Sequence, residues 1–154
     1  MIPKTLLRAA VAFMLGAVLA ACSNLGLDAA DDQAARRAYA QIRDNDRAGL
    51  DGWAGPEMKK MDAATWEAIR SIIPPQQPQS VAVTGWKYNV STASGNVLET
   101  VHEYDYPDRK VKAETVLQRI GTKGAWTVIG FHVKGEAKAP APDAGAARTG
   151  RADS

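Results

Sequence analysis

A chain of 154 residues with 45% hydrophobic and 23% charged residues has the composition of a soluble domain, which excludes a fibrous or wholly disordered protein. The formal net charge of +2 sets 19 basic against 17 acidic residues, but Lys4 and Arg8 lie at the extreme N-terminus. Without those two the side chains balance, and no basic stripe with interleaved aromatics follows, so nucleic-acid binding is excluded.

Lys4 and Arg8 precede an apolar run from Ala9 to Leu19. That run is about a dozen residues, short of the roughly 20 that a permanent membrane-spanning helix needs, and it reads as an export signal over residues 1–21. It closes on Leu19-Ala20-Ala21-Cys22, and Ser23 and Asn24 open a polar stretch. The tetrapeptide resembles the lipobox of bacterial lipoproteins, which has an aliphatic residue, two small residues and then cysteine. The resemblance implies a thioether from Cys22 Sγ to diacylglycerol, cleavage before Cys22, and acylation of the new amino group by a fatty acid such as palmitate. The membrane is then a partner held through acyl chains, and two or more chains hold stably where one binds marginally. Ser23 stands where an aspartate often retains such proteins in the inner membrane, so the resemblance implies an outer-membrane anchor facing the periplasm. Cys22 is the only cysteine, so once acylated it leaves no thiol for a disulfide.

Residues 22–30 read as the acylated cysteine and a tether, 31–134 as one domain, and 135–154 as a tail. The first helix is expected from Asp31 or Asp32 to Arg43, with Ala35, Ala38, Tyr39 and Ile42 at helical spacing. Acidic residues at its start suit the helix dipole. Asp44-Asn45-Asp46 interrupts it, Arg47 to Trp53 forms a short second helix, and Gly55-Pro56 breaks the chain. Asp62 is placed to cap a third helix over Ala63 to Ile73, presenting Trp66, Ile69, Ile72 and Ile73. Pro74-Pro75 ends it. The texture then turns to β, with strands over Val81 to Val90, Val97 to Tyr106, Val111 to Ile120 and Ala125 to Lys134. Short turns between them make a four-stranded antiparallel meander. From Gly135 onward Ala, Pro, Gly and charged residues dominate, and no large apolar side chain remains to offset ordering entropy, so disorder is expected.

Helices followed by a curved four-stranded antiparallel sheet make an α+β fold. The stretch Ala38-Tyr39-Ala40-Gln41-Ile42-Arg43-Asp44-Asn45-Asp46 leading into Leu50, and the closing strand Gly124-Ala125-Trp126-Thr127-Val128-Ile129-Gly130-Phe131, resemble the nuclear-transport-factor-two-like superfamily, whose domains are cone-shaped and cystatin-like. The resemblance covers residues 32 to 134 and implies a pocket between helices and sheet. Some members are isomerases or dehydratases using a pocket Asp, His or Tyr.

In the second strand, alternation puts Leu98, Thr100, His102, Tyr104 and Tyr106 on one face and Glu99, Val101, Glu103 and Asp105 on the other. His102, Tyr104 and Tyr106 are the candidate pocket residues, and His102 is the candidate general base, its ordinary pKa lying near neutrality. Such a row is also what a packed strand carries, and the acidic face reads as solvated, with Lys110 and Lys112 across the turn to offset it. His132 has no carboxylate at metal-ligand spacing, so neither metal nor cofactor is expected. No nucleophile elbow or phosphate-binding glycine pattern is present. The four tryptophans read as core aromatics before sugar platforms. Two readings result. One is a lipid-anchored, non-enzymatic domain binding a small apolar ligand or docking on an envelope protein. The other is a small isomerase or hydratase with His102 or a nearby carboxylate as base.

Overall fold

A computed structural model describes residues 26–92, 95–121 and 123–139. The export signal over 1–21, Cys22 and the tail past residue 139 lie outside the described residues. Four helices come first: α1 (Ala29–Arg43), α2 (Arg47–Asp51), α3 (Pro56–Lys59) and α4 (Ala63–Ile72). Four strands follow, β1 (Ser80–Ser91), β2 (Gly95–Asp105), β3 (Arg109–Arg119) and β4 (Thr127–Ala137), paired antiparallel in sequence order. The fold is therefore α+β, with an open four-stranded antiparallel sheet and its helices. Among the described residues no helix is long and apolar enough to cross a membrane.

Local chemistry sets the helix ends. The Asp28 carboxylate accepts the Ala30 N–H at 2.8 Å, Asp31 and Asp32 occupy the first turn of α1, and Arg43 the last. This arrangement satisfies an orphan donor and complements the dipole. The helix stops where Asn45 takes a φ of 59°, a left-handed conformation that Asn tolerates. Asp46 then caps α2 by accepting the Gly49 N–H at 2.9 Å. Trp66 of α4 ties this corner down, its Nε1–H donating to Asn45 Oδ1 at 2.8 Å.

Several boundaries differ from expectation. α1 begins at Ala29, and Leu27 is already buried, so residues assigned to a tether join the fold. The Asp28 cap explains the earlier start. α2 stops at Asp51, short of Trp53. α3 is unanticipated, because Gly55-Pro56 reads as a break, yet proline is well suited to the first position of a helix. β4 begins at Thr127 and runs to Ala137, through Gly135 and Ala137, where disorder is expected. Backbone pairing with Val111 and Arg109 of β3 holds those residues without large side chains of their own.

The core lies between α1 and one side of the sheet. Ala35, Ala38, Tyr39 and Ile42 of the helix pack with Val83, Leu98, Tyr104, Val111, Leu117 and Val128. β2 alternates without a break, its even-numbered residues buried from Asn96 to Tyr104. A register shift between Val83 and Gly85 lets β1 present both Val83 and, further on, Trp86 and Tyr88 to the helix side, opposite Thr100 and Leu98. Beyond the sheet's edge, Ala54 bridges to Val128. The Gly55 N–H donates to Val128 O at 2.8 Å, and a Cβ at Gly55 would lie 3.0 Å from Ile129 Cγ2. That close approach favours glycine and fixes Trp53 beside β4.

Candidate functional site

Helix α1 and strand β2 run along one another with matching polar faces. Asp32, Arg36, Tyr39 and Arg43 fall three or four residues apart, hence on one helical face. His102 and Tyr104 alternate onto the facing side of β2, and Tyr106, expected within that strand, follows one residue past its end at Asp105 and is also buried. His102 Nε2 lies 2.7 Å from Asp32 Oδ1, and the imidazole is 1% exposed. Asp32 Oδ2 in turn meets Arg36 Nε at 2.8 Å. Burial pushes the His102 pKa below its ordinary value, and the Asp32 carboxylate opposes but does not reverse that shift. A carboxylate can only accept, so the imidazole donates Nε2–H to Asp32. Its Nδ1 is buried with no hydrogen-bond partner among the described residues.

About two helical turns on from Asp32, Tyr39 stacks on Tyr104 with ring centroids 3.5 Å apart and planes 6° from parallel. Its hydroxyl lies 2.8 Å from that of Tyr106. Burial raises the pKa of all three phenols, which keeps them protonated and able to donate. Arg43 closes the row, donating from Nη1 to Gln77 Oε1 at 2.8 Å and from Nε to Asp44 at 2.7 Å. The neighbouring guanidinium holds the Asp44 carboxyl below the usual range.

Thus His102, Tyr104 and Tyr106 lie together on one face, and the structure gives each a partner on α1 or beneath it. A carboxylate does meet His102, but it comes from Asp32, 70 residues earlier in the chain. Two clefts are described, and His102, Tyr104 and Tyr106 line neither. His132 is exposed on β4, opposite Glu114. Glu103 and Asp105 lie on the outer side, where Lys110 and Lys138 each approach a carboxylate to 2.7 Å. Among the described residues no group of three or more His, Cys, Asp and Glu stands where it could hold a metal ion.

The site that sequence reasoning misses is a cleft of about 500 Å3 on the flank of α1, lined by Ala30, Gln33, Ala34, Arg37, Trp53 and Trp126. Small-molecule pockets occupy roughly 300–1,000 Å3. Both indoles are held from behind. Trp126 Nε1–H donates to Asp31 Oδ1 at 2.8 Å, and Trp53 Nε1–H donates to Gln41 Oε1 at 2.8 Å. Arg119 braces Trp126, its guanidinium carbon 4.2 Å from the ring centroid. With the indole donors occupied, the walls offer apolar ring surface and alanine methyls beside the Gln33 amide. The cation is Arg37, 4.8 Å over Trp53, and among the described residues no carboxylate lies within ion-pair distance of it. The second cleft, at the far end of β4, carries Asp108 with Arg109 at 2.8 Å and Lys134 with Glu136 at 3.6 Å, so its charges are matched internally.

The signal for the flank cleft is present in the sequence as Ala30, Ala34 and Arg37, which share a helical face pointing away from the Asp32–Tyr39 row. Nothing in the spacing pairs that face with Trp53 and Trp126. No family model, curated protein or solved structure matches the chain, so the site is read from its own geometry.

Proposed function

We propose that this chain is a lipid-anchored lipoprotein of the bacterial cell envelope, held to the outer membrane through acyl chains on Cys22, with a non-enzymatic domain that binds a small amphiphile. The order of helices and sheet fits the cone-shaped, cystatin-like architecture, and we read the domain as a member of that group whose cone interior is filled by α1. The observation that carries the binding reading is Arg37, a cation on the rim of an aromatic cleft with no carboxylate at ion-pair distance among the described residues. An apolar body between Trp53 and Trp126 with an anionic group at Arg37 satisfies both features. A general base needs a path to substrate. His102 is 1% exposed and its Nε2 is committed to Asp32, which supports a structural role for the pair.

Naphthalene-2-sulfonate, with neutral 2-naphthol as its control, tests the cleft. The sulfonate is expected to shift the indole N–H resonances of Trp53 and Trp126 saturably and to leave that of Trp66 in place. Arg37→Ala is expected to weaken the sulfonate about tenfold, as loss of one charged hydrogen bond does, without affecting the naphthol. A sulfonate that leaves both cleft indoles unmoved removes the binding reading. For the anchor, Cys22→Ser is expected to move the protein out of the membrane fraction; a variant still processed and still membrane-bound overturns that part.

A further inference from the structure

Three large apolar side chains stay exposed among the described residues, Trp86 at 42%, Val90 at 75% and Ile120 at 76%; Val90 and Ile120 lie at one end of the sheet and Trp86 midway along β1, opposite Thr100. β1 reaches that end through Val90, β2 leaves it at Gly95, and Asn96 pairs with Arg119, which places Ile120 beside Gly95. A Cβ at Gly95 would lie 3.0 Å from Ile120 Cδ1. Trp86 sits further along β1, and alternation puts it on the same side as Val90.

The start of the folded chain lies at the same end. Asp31 is 2.8 Å from Trp126 Nε1 and 3.7 Å from Arg119, and a Cβ at Gly26 would lie 3.9 Å from Trp86 Cζ2. Gly26 is also where the chain turns in toward the core, because Leu27 is buried. Cys22 precedes Gly26 by four residues, a span of at most about 14 Å even when fully extended. An acyl-bearing Cys22 therefore brings this end of the domain to the bilayer surface. Tryptophan favours the headgroup level of a membrane, with aliphatic side chains favouring the region beneath.

We propose that the exposed end of the sheet rests on the bilayer that holds the acyl chains, with Trp86 at the headgroup level and Val90 and Ile120 against the lipid. This rests on the lipid-anchored reading of Cys22. It makes the domain a docked body of fixed orientation, with the α1 flank cleft beside the membrane surface and open to amphiphiles leaving it.

The test uses the full chain produced in a bacterium, extracted from membranes and reconstituted into phosphatidylcholine vesicles with brominated acyl chains. Trp86 emission is taken as the difference between wild type and Trp86→Phe, and the mass of the N-terminal peptide from the same preparation reports acylation. With Trp86 at the headgroup level, its emission is expected to fall by about half in brominated vesicles relative to unbrominated ones. The doubly substituted Val90→Asp, Ile120→Asp chain, altered at exposed sites, is expected to lose that quenching while keeping its acylation. An acylated chain whose Trp86 emission is unquenched overturns the docking and leaves the anchor standing. An unacylated chain whose Trp86 is still quenched overturns the anchor and supports the docking. Unquenched emission together with a dimer that Trp86→Phe dissolves assigns the face to a second copy and overturns the proposal.

Discussion

The two sides of α1 carry different residue types and put them to different use. Toward β2, the helix sets Asp32 against His102 at 2.7 Å and the Tyr39 hydroxyl against that of Tyr106 at 2.8 Å, both inside the core. Toward Trp53 and Trp126, it sets Arg37 over an indole at 4.8 Å, and among the described residues no carboxylate pairs with it. Histidine, tyrosine and aspartate in a row invite a catalytic reading, yet here they fasten a helix to a sheet. The plainer combination of arginine, alanine and tryptophan is the one left open. What distinguishes the two sides is access: His102 is 1% exposed, whereas Arg37 is exposed beside an open cleft.

The largest effect that sharpens this contrast is expected from Tyr39→Ala. It removes a ring stacked at 3.5 Å on Tyr104 and strands the Tyr106 hydroxyl. A loss of about 3–5 kcal/mol in the free energy of unfolding is expected from denaturant titration. Arg37→Ala gives up only an exposed-side cation–π contact, about 0.5–1 kcal/mol. Similar losses for the two variants would erase the distinction between the sides.

Asp32→Ala comes next. It leaves His102 Nε2 and the Arg36 guanidinium without their shared carboxylate, at a cost of about 2–3 kcal/mol in the same titration. If the pair were catalytic apparatus held apart from the fold, this substitution would leave stability unchanged.

Acid should reveal the same pair. Burial holds the folded His102 pKa below 6.5, while Asp32 favours and Arg36 disfavours the charged imidazole. As pH falls through 6.5 the unfolded chain takes the proton first, so the contribution is complete above that pH and is lost toward the lower folded pKa. Unfolding free energy is expected to decline on acidification by up to about 1.4 kcal/mol per pH unit from this group. His102→Gln should flatten the decline, and an unchanged slope in that variant would place the titration elsewhere.

The smallest change within the seam is Tyr39→Phe. It keeps the stacked ring and deletes one hydroxyl contact, for about 1 kcal/mol by thermal or chemical unfolding. A loss as large as that of Tyr39→Ala would mean that the hydroxyl pair, and not the ring, holds the seam.

Much of the framework is legible in the sequence, because periodicity reports which face of an element is buried. Alternation assigns Leu98, Thr100, His102 and Tyr104 to one side of β2, and Asp62 marks the start of α4. Periodicity carries no information about which distant face lies opposite. Asp31 and Asp32 suit the helix dipole from sequence alone, and their bonds to Trp126 and His102 follow only from the docking of α1 on the sheet. Trp53 and Trp126 read as core aromatics, yet both are half-buried and line the flank cleft, since the Ala54–Val128 bridge that brings them together has no local signal. α3 is hidden because Gly-Pro marks a turn and a helix start equally well.

The most direct test of the contrast measures affinity and stability in the same two variants. Arg37→Ala is expected to lose about tenfold in affinity for naphthalene-2-sulfonate while its unfolding free energy falls by no more than about 1 kcal/mol. His102→Gln is expected to do the reverse, losing stability while binding the sulfonate as wild type does. A His102→Gln chain that folds with full stability but no longer binds would contradict the account, because the seam would then be the site and the cleft a surface feature.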